Sequence, residues 1–266
     1  MYSFEYQKAK SVDDAAKIIA KDSDAKVLAG GQSLIAAMKL RLAKPSSVVD
    51  LGSVKGLSGI KVDGKNVTIG AMTRHAEVAA SAEVKKAIPA LAALAGGIGD
   101  RMVRNMGTIG GSLANNDPAA DYPAGALGLG ATIVTNKRKI AADDFFKGMY
   151  ETALGKGEII EQVVFPIPKR AAYMKFKNPA SRFALVGVFV ADFGGGKVRV
   201  AVTGAGVCAF RQAEMEKALA AKFAPDAVAN IKVKQDGLNN DLHASPEYRA
   251  HLITVMCKRA VEAALK

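Results

Sequence analysis

The apolar positions of the first sixty residues change period several times. In "VDDAAKIIAK" they recur at helical spacing behind Ser11 and Asp14, a pairing that resembles a capping box, so a helix is predicted there. "AKVLA" and "SSVVDL" are short continuous apolar runs and predict buried strands. Between them, "GGQS" predicts a turn and "LIAAMKLRLA" a helix stopped before Pro45. A helix intervening between strands predicts a parallel pair, and residues 1–57 read β, α, β, α, β.

From residue 58 the pattern alternates. "GIKVDGKNVTIGA" predicts two strands joined by an Asp63-Gly64 turn. "RHAEVAASAEVKKAIPALAALAGGIG" predicts helix, with Pro89 and Gly96-Gly97 as punctuation. A long glycine loop is expected next, then a helix over "YPAGALGLG" and strands over "ATIVTN" and "EIIEQVVFPIP". Beyond residue 170, three strands are predicted, the last two joined through Gly194-Gly195-Gly196. "SPEYRAHLITVMCKRAVEAAL" predicts an amphipathic helix capped by Ser245. The expected fold class is α+β, in three units: 1–57, 58–169 and 170–266.

Two glycine-rich stretches carry the candidate chemistry. "LAGGQSL" has the order strand, Gly30-Gly31 turn, Ser33 hydroxyl, then a helix from Leu34. "GTIGGSLAN" sets Thr108 and Ser112 hydroxyls beside Gly110-Gly111. Glycine lets backbone N–H groups approach a phosphate closely, and a helix N-terminus adds unpaired donors. Two such cradles suit the pyrophosphate of a dinucleotide. Asp121 is a candidate acceptor for ribose or adenine, while Asp117 before Pro118 reads as a helix cap.

"GGQSL" lacks the Gly-Lys-Ser/Thr ending of a triphosphate-binding loop. "VTGAGVCA" is the competing motif: Gly204-x-Gly206-x-x-Ala209 follows a strand, with Asp226 about twenty residues on, the spacing of a Rossmann fingerprint. Its strand reads as the return arm of the triple-glycine hairpin, which disfavours a βαβ unit. A Rossmann-type dinucleotide-dependent oxidoreductase is therefore the alternative reading.

Composition narrows the field further. The formal charge is +12, but the basic residues are dispersed and Trp is absent, so a basic soluble protein or one that docks an acidic subunit is expected rather than a nucleic-acid binder. Cys208 and Cys257 with three histidines make neither a disulfide framework nor a zinc site, and too few thiolates for an iron–sulfur cluster. Both thiols read as small buried hydrophobes, and His75 and His243 as surface or capping residues. No apolar run of about 18 residues suggests a membrane span, and "MYSFEYQKAKS" has no signal-peptide pattern, so a cytoplasmic location is expected.

The stretches "AGGQSLIAAMKLRLAKPSSVVDL", "IGAMTRHAEV", "VRNMGTIGGSLANNDPAADYPAGALGLGA" and "DGLNNDLHASPEYRAHLITVMCKRAV" resemble the FAD-binding medium subunit of molybdenum hydroxylases. That family includes aerobic carbon monoxide dehydrogenase and bacterial xanthine, nicotine and aldehyde dehydrogenases. The resemblance implies a two-part FAD domain of the vanillyl-alcohol-oxidase (PCMH) type. A C-terminal domain with a three-stranded antiparallel sheet and helices would follow it.

It also implies a cofactor site. Ala29, Gly30, Gly31, Gln32, Ser33 and Leu34 would form the first pyrophosphate loop, and Thr108, Ile109, Gly110, Gly111 and Ser112 the second. Asp121 would bind the adenosine half, with Ile98, Ile160 and Lys177 near adenine and flavin. Phe183 stands where the carbon monoxide dehydrogenase branch carries Tyr, a departure from that branch.

The implied role is an electron-transfer subunit that takes electrons from iron–sulfur clusters on a small subunit. A molybdopterin large subunit would oxidise the substrate, in a dimer of heterotrimers, with a quinone or NAD as external acceptor. A free-standing flavin reductase of the same fold is a further alternative.

Overall fold

Residues 1–266 are described by a computed structural model. Three larger sheets follow one another along the chain, and a two-stranded ribbon pairs Phe146–Gly148 with Glu151–Thr152. The first is parallel, with Ser47–Asp50 between Glu5–Lys8 and Lys26–Leu28, as the alternation of strands and helices predicts. Helix Val12–Lys21 starts where expected: the Ser11 hydroxyl accepts the Asp14 N–H at 3.1 Å, and the Asp14 carboxylate accepts the Lys10 N–H at 2.9 Å.

The next helix, Leu34–Lys39, is shorter than its sequence pattern suggests. Arg41 turns left-handed at φ 61°, and the Leu42 N–H reaches back to the Ala37 carbonyl at 2.8 Å. Residues 40–43 thus close the helix in the manner usual for a C-terminal glycine, with Arg41 in the position glycine favours.

The second sheet has five antiparallel strands in the order Ile60–Val62, Asn66–Gly70, Ile160–Pro166, Thr132–Thr135, Lys139–Ala141. The predicted Asp63-Gly64 turn joins the first two, and the Asp63 carboxylate accepts the Lys65 and Asn66 N–H groups. The long predicted helix breaks into His75–Ala80, Ala82–Ala87 and Pro89–Gly96. Ser81 caps the second piece through the Val84 N–H, and Pro89, having no N–H to leave unpaired, opens the third. In place of one long glycine loop the chain forms helices Arg101–Met106 and Ile109–Asn115, followed by helix Asp121–Leu129.

The third sheet has four strands, not three: Arg170–Lys177, Ala184–Asp192, Val198–Thr203 and Phe210–Arg211. The added strand is two residues long, too short to carry an alternating pattern. Helix Asp121–Leu129 is buried at every position and packs against the second and third of these strands. The main core therefore joins apolar residues of the second sheet to Phe189, Ala191 and Ala201 of the third. A separate core lies under the C-terminal helix Pro246–Ala264, which Ser245 caps as predicted.

Three polar or thiol residues sit differently from expectation. His75 is only 5% exposed, beside the Tyr122 ring, with its Nδ1 unpartnered. Burial, aided by the Arg104 charge, pushes its pKa down to about 4. Cys257 is fully buried as expected, but Cys208 is only half-buried. Asp117 caps a turn through the Ala119 N–H at 2.9 Å, while Ala120 occupies the N-cap of the helix that follows. No helix is long and apolar enough to cross a membrane.

Two outcomes follow from these buried groups. Unfolded His75 takes up a proton near pH 6.5, whereas the folded form stays neutral to about pH 4. Stability should fall as pH drops through that window, by up to about 3 kcal/mol, and His75→Phe should flatten this limb in urea titrations. Buried Arg249 donates to the Leu185 and Gly204 carbonyls at 2.8 and 2.9 Å and to Asp241 at 2.6 Å. Arg249→Met should lower unfolding free energy by about 3 kcal/mol by stranding these acceptors. A change in denaturation midpoint below the error of the measurement would show that the acceptors find other donors.

Candidate functional site

Strand Lys26–Leu28 ends in the first glycine stretch, and helix Leu34–Lys39 begins beyond it. The N–H groups of Gly30, Gly31, Gln32, Ser33 and Leu34 donate to no acceptor in the chain. Carbonyls of the same loop are used inward: Gly31 accepts the Ile35 N–H at 3.1 Å and Ser33 the Ala37 N–H at 3.0 Å. Five successive donors are thus left free, with Gln32 and Ser33 exposed. Such a run is a cradle for an anion.

Both glycines are required by geometry. A Cβ on Gly30 would run into the Met106 carbonyl and lie 2.7 Å from the Gly107 Cα. Gly31 has φ +71°, and a Cβ there would stand 2.9 Å from Ile35 Cγ1.

The second stretch is built differently. Thr108 caps helix Ile109–Asn115 by accepting the Gly111 N–H at 3.1 Å. The Ile109 N–H goes to the Thr73 carbonyl and the Gly110 N–H to the Ala71 carbonyl, at 3.1 and 2.8 Å. These amides seat the helix against residues 71–73, and a Cβ on Gly110 would come within 2.6 Å of Ala71 Cβ. What this stretch keeps free is the Thr108 N–H and the Ser112 hydroxyl. A Cβ on Gly111 would lie 3.6 Å from Ala29 Cβ, so this motif and the first, about eighty positions apart, are neighbours in space.

A continuous set of contacts leads from these stretches to the predicted flavin end. The Gly30 backbone packs on Met106-Gly107, the C-terminal end of helix Arg101–Met106. Arg104 of that helix donates to the Ile98 and Gly99 carbonyls at 2.9 and 3.0 Å. The preceding carbonyl, Gly97, accepts the Lys175 ammonium at 2.9 Å. Lys175 also reaches Asp121 at 2.9 Å, and the Tyr173 hydroxyl donates to Asp121 at 2.5 Å.

Tyr173 and Lys175 lie two apart on strand Arg170–Lys177 and so point to one face. That strand ends at exposed Lys177, and the Asn178 N–H donates to the Phe183 carbonyl at 2.9 Å. Phe183 is 48% exposed.

Asp121 and Lys175 are both buried, and Asp121 spends its oxygens on protein donors. Burial pushes its carboxyl up, opposed by the Lys175 charge and the Tyr173 hydrogen bond; burial also raises the Tyr173 phenol. Sequence reasoning named Lys177 and missed Lys175 and Arg104; alternation on the strand would have marked Lys175 as inward with Tyr173. Ile160 lies in the main core at the start of strand Ile160–Pro166, outside this set of contacts.

The Rossmann alternative fails on topology. Strand Val198–Thr203 is antiparallel to its neighbours, and after Gly206 the chain enters strand Phe210–Arg211 instead of a helix. The Gly204 N–H is taken by the Pro118 carbonyl at 2.8 Å, and no helix N-terminus follows directly to orient the amides beyond it.

Comparison with known proteins gives the family. The family described as "FAD binding domain in molybdopterin dehydrogenase" matches residues 2–168. The chain is 36% identical to the nicotine 6-hydroxylase medium subunit of Paenarthrobacter nicotinovorans, covering 96% of this chain and 95% of that one. It is 35% identical to the carbon monoxide dehydrogenase medium chain of Hydrogenophaga pseudoflava, covering 98% and 96%. Among solved structures, reconstituted CO dehydrogenase from Oligotropha carboxidovorans superposes with a TM-score of 0.90 at 34% identity, over 99% of this chain and 98% of that one. Quinoline 2-oxidoreductase from Pseudomonas putida 86 gives 0.88 at 30% identity, over 99% and 97%. With its cradle of free amides at one end and the exposed Phe183 at the other, the chain belongs to the FAD-binding medium subunits of molybdenum-containing dehydrogenases, which are oxidoreductases.

Proposed function

We propose that this chain is the electron-transfer flavoprotein of a three-component hydroxylase. It takes electrons from an iron–sulfur chain, while a molybdopterin chain oxidises the substrate. The observation that carries this reading is the meeting of the two glycine stretches, with five unpaired amides on the first beside Thr108 and Ser112 on the second. That donor set fits a pyrophosphate, and no His or Cys lies in either stretch to tether a flavin covalently. Gly30 to Leu34 would hold the phosphates, with Thr108 and Ser112 opposite them. When bound, FAD supplies storage for two electrons and exchange of one at a time.

The remaining residues orient and shield. Lys175 and Arg104 fix three successive carbonyls, Gly97 to Gly99, and so present Ile98 to the cofactor. Asp121 acts through Lys175, in place of the adenosine contact that the resemblance implies. Phe183 has no hydroxyl to donate, and its exposed ring serves as an apolar gate that favours a quinone over a nicotinamide acceptor.

The purified chain should bind one FAD that acid precipitation releases. Ser33→Ala should weaken binding by about 1 kcal/mol. Gly31→Ala should weaken it further, because it adds both left-handed strain and a clash with Ile35. Gly237→Ala carries the same kind of strain in open space and should leave FAD content unchanged. Protein that takes up no FAD under any condition would sink the reading.

For the gate, Phe183→Ala in the assembled complex should change acceptor kinetics while substrate oxidation at the partner continues. Rapid saturable reduction of the wild-type flavin by NADH would contradict it.

A further inference from the structure

Resting on the electron-transfer reading above, we infer that Tyr2, Lys39, Leu40, Arg41, Leu42 and Lys44 form the surface on which an acidic face of the iron–sulfur chain docks. Leu40 and Leu42 are 71% and 79% exposed, among the most exposed large apolar side chains of the protein. They are held rigidly. Arg41 between them is left-handed, its N–H bonds the Met38 carbonyl at 3.1 Å, and the Leu42 N–H bonds Ala37 at 2.8 Å. A strained, non-glycine turn that displays two leucines to solvent is costly in isolation, and such strain concentrates at functional surfaces.

The charge of the patch selects the partner. No carboxylate occurs between Asp24 and Asp50, yet this stretch holds Lys26, Lys39, Arg41 and Lys44. None of the four is in an ion pair. Arg41 and Lys44 instead stand over the exposed Tyr2 ring, at 5.9 and 5.4 Å from its centroid. Two apolar anchors rimmed by uncompensated cations fit a partner with acidic residues around an apolar depression.

Position selects the iron–sulfur chain. Helix Leu34–Lys39 alone separates the patch from the free amides of residues 30–34, about 9 Å at 1.5 Å per residue. A chain docked there lies against the middle of a dinucleotide whose phosphates those amides hold, and of the partners the one-electron relay is the one that has to lie against the cofactor.

The test is co-expression of the chain with its partner subunits and purification through a tag on this chain, reading iron and FAD per chain. Arg41→Glu with Leu42→Asp should reduce retained iron by about tenfold, as expected for anchor residues, while FAD per chain stays at the wild-type level. Lys39→Glu with Lys44→Glu, which leaves residues 41 and 42 untouched, should do the same, and wild-type retention should fall with added salt. Arg259→Glu, on the exposed side of the C-terminal helix, should retain iron normally.

Full iron retention in both patch variants would overturn the surface. So would loss of the molybdopterin chain with the iron–sulfur chain kept, or release of the partner by nuclease. A wild-type chain that binds FAD but retains no iron–sulfur chain would overturn the functional reading itself.

Discussion

The buried pair of Asp121 and Lys175 joins three parts of the chain that share no backbone hydrogen bonds. Asp121 opens the helix at the centre of the main core, Lys175 lies on a strand of the third sheet, and Gly97 closes a helix of the second region. A buried ion pair alone is a poor source of stability, because both charges lose their water. Here the remaining valences are filled, the ammonium by the Gly97 carbonyl and the carboxylate by the Tyr173 hydroxyl. The cluster's main effect is geometric. It sets the distance between the Gly97–Gly99 turn and the third sheet, and with Arg104 it leaves Ile98 little freedom to move.

The two glycine stretches look alike in sequence and do different physical work. In the first, glycine lets the backbone pass over Met106 and Gly107 and turn left-handed, so that its amides face outward unpaired. In the second, Gly110 lets a helix sit against Ala71, and the amides are consumed in seating it. The first is a donor surface and the second is the wall it rests on. Either alone would be a tight turn or a close helix contact, and the cofactor reading arises from their adjacency.

Much of this was legible in the chain. Ser11, Ser245 and the Asp63-Gly64 pair carry local signals, since caps and turns are decided by residues within three or four positions. The parallel first sheet followed from its intervening helices. What escaped were features decided by distant partners. His75 looks like a surface residue until Tyr122 packs on it, 47 positions later by the sequence numbering. Strand Phe210–Arg211 exists because Val198–Thr203 offers an edge, and the helix after Lys39 ends because Arg41 accepts a glycine-like conformation. Within the candidate site, the spacing of Gly30 to Ser33 marks a loop and Lys175 shows only through its alternation with Tyr173, while Arg104 acts on carbonyls, which leave no trace in side-chain pattern.

The distribution of charge separates the two tasks of the first region. From Val27 to Met38 there is no charged side chain, so the proposed cradle would work through amide and hydroxyl dipoles without a charge. Dipoles act over a short range and select for an anion that fits closely between both stretches. The lysines and arginine of residues 39–44 lie at the end of the helix and just beyond it, exposed and in no ion pair, where charge acts over about a Debye length and is screened by salt. Had a lysine stood in the loop itself, the phosphates would neutralise it and little would remain to attract a protein. In the proposed complex, an uncharged cradle beside a basic turn would let bound cofactor and docked partner occupy adjacent surfaces without competing for the same cations.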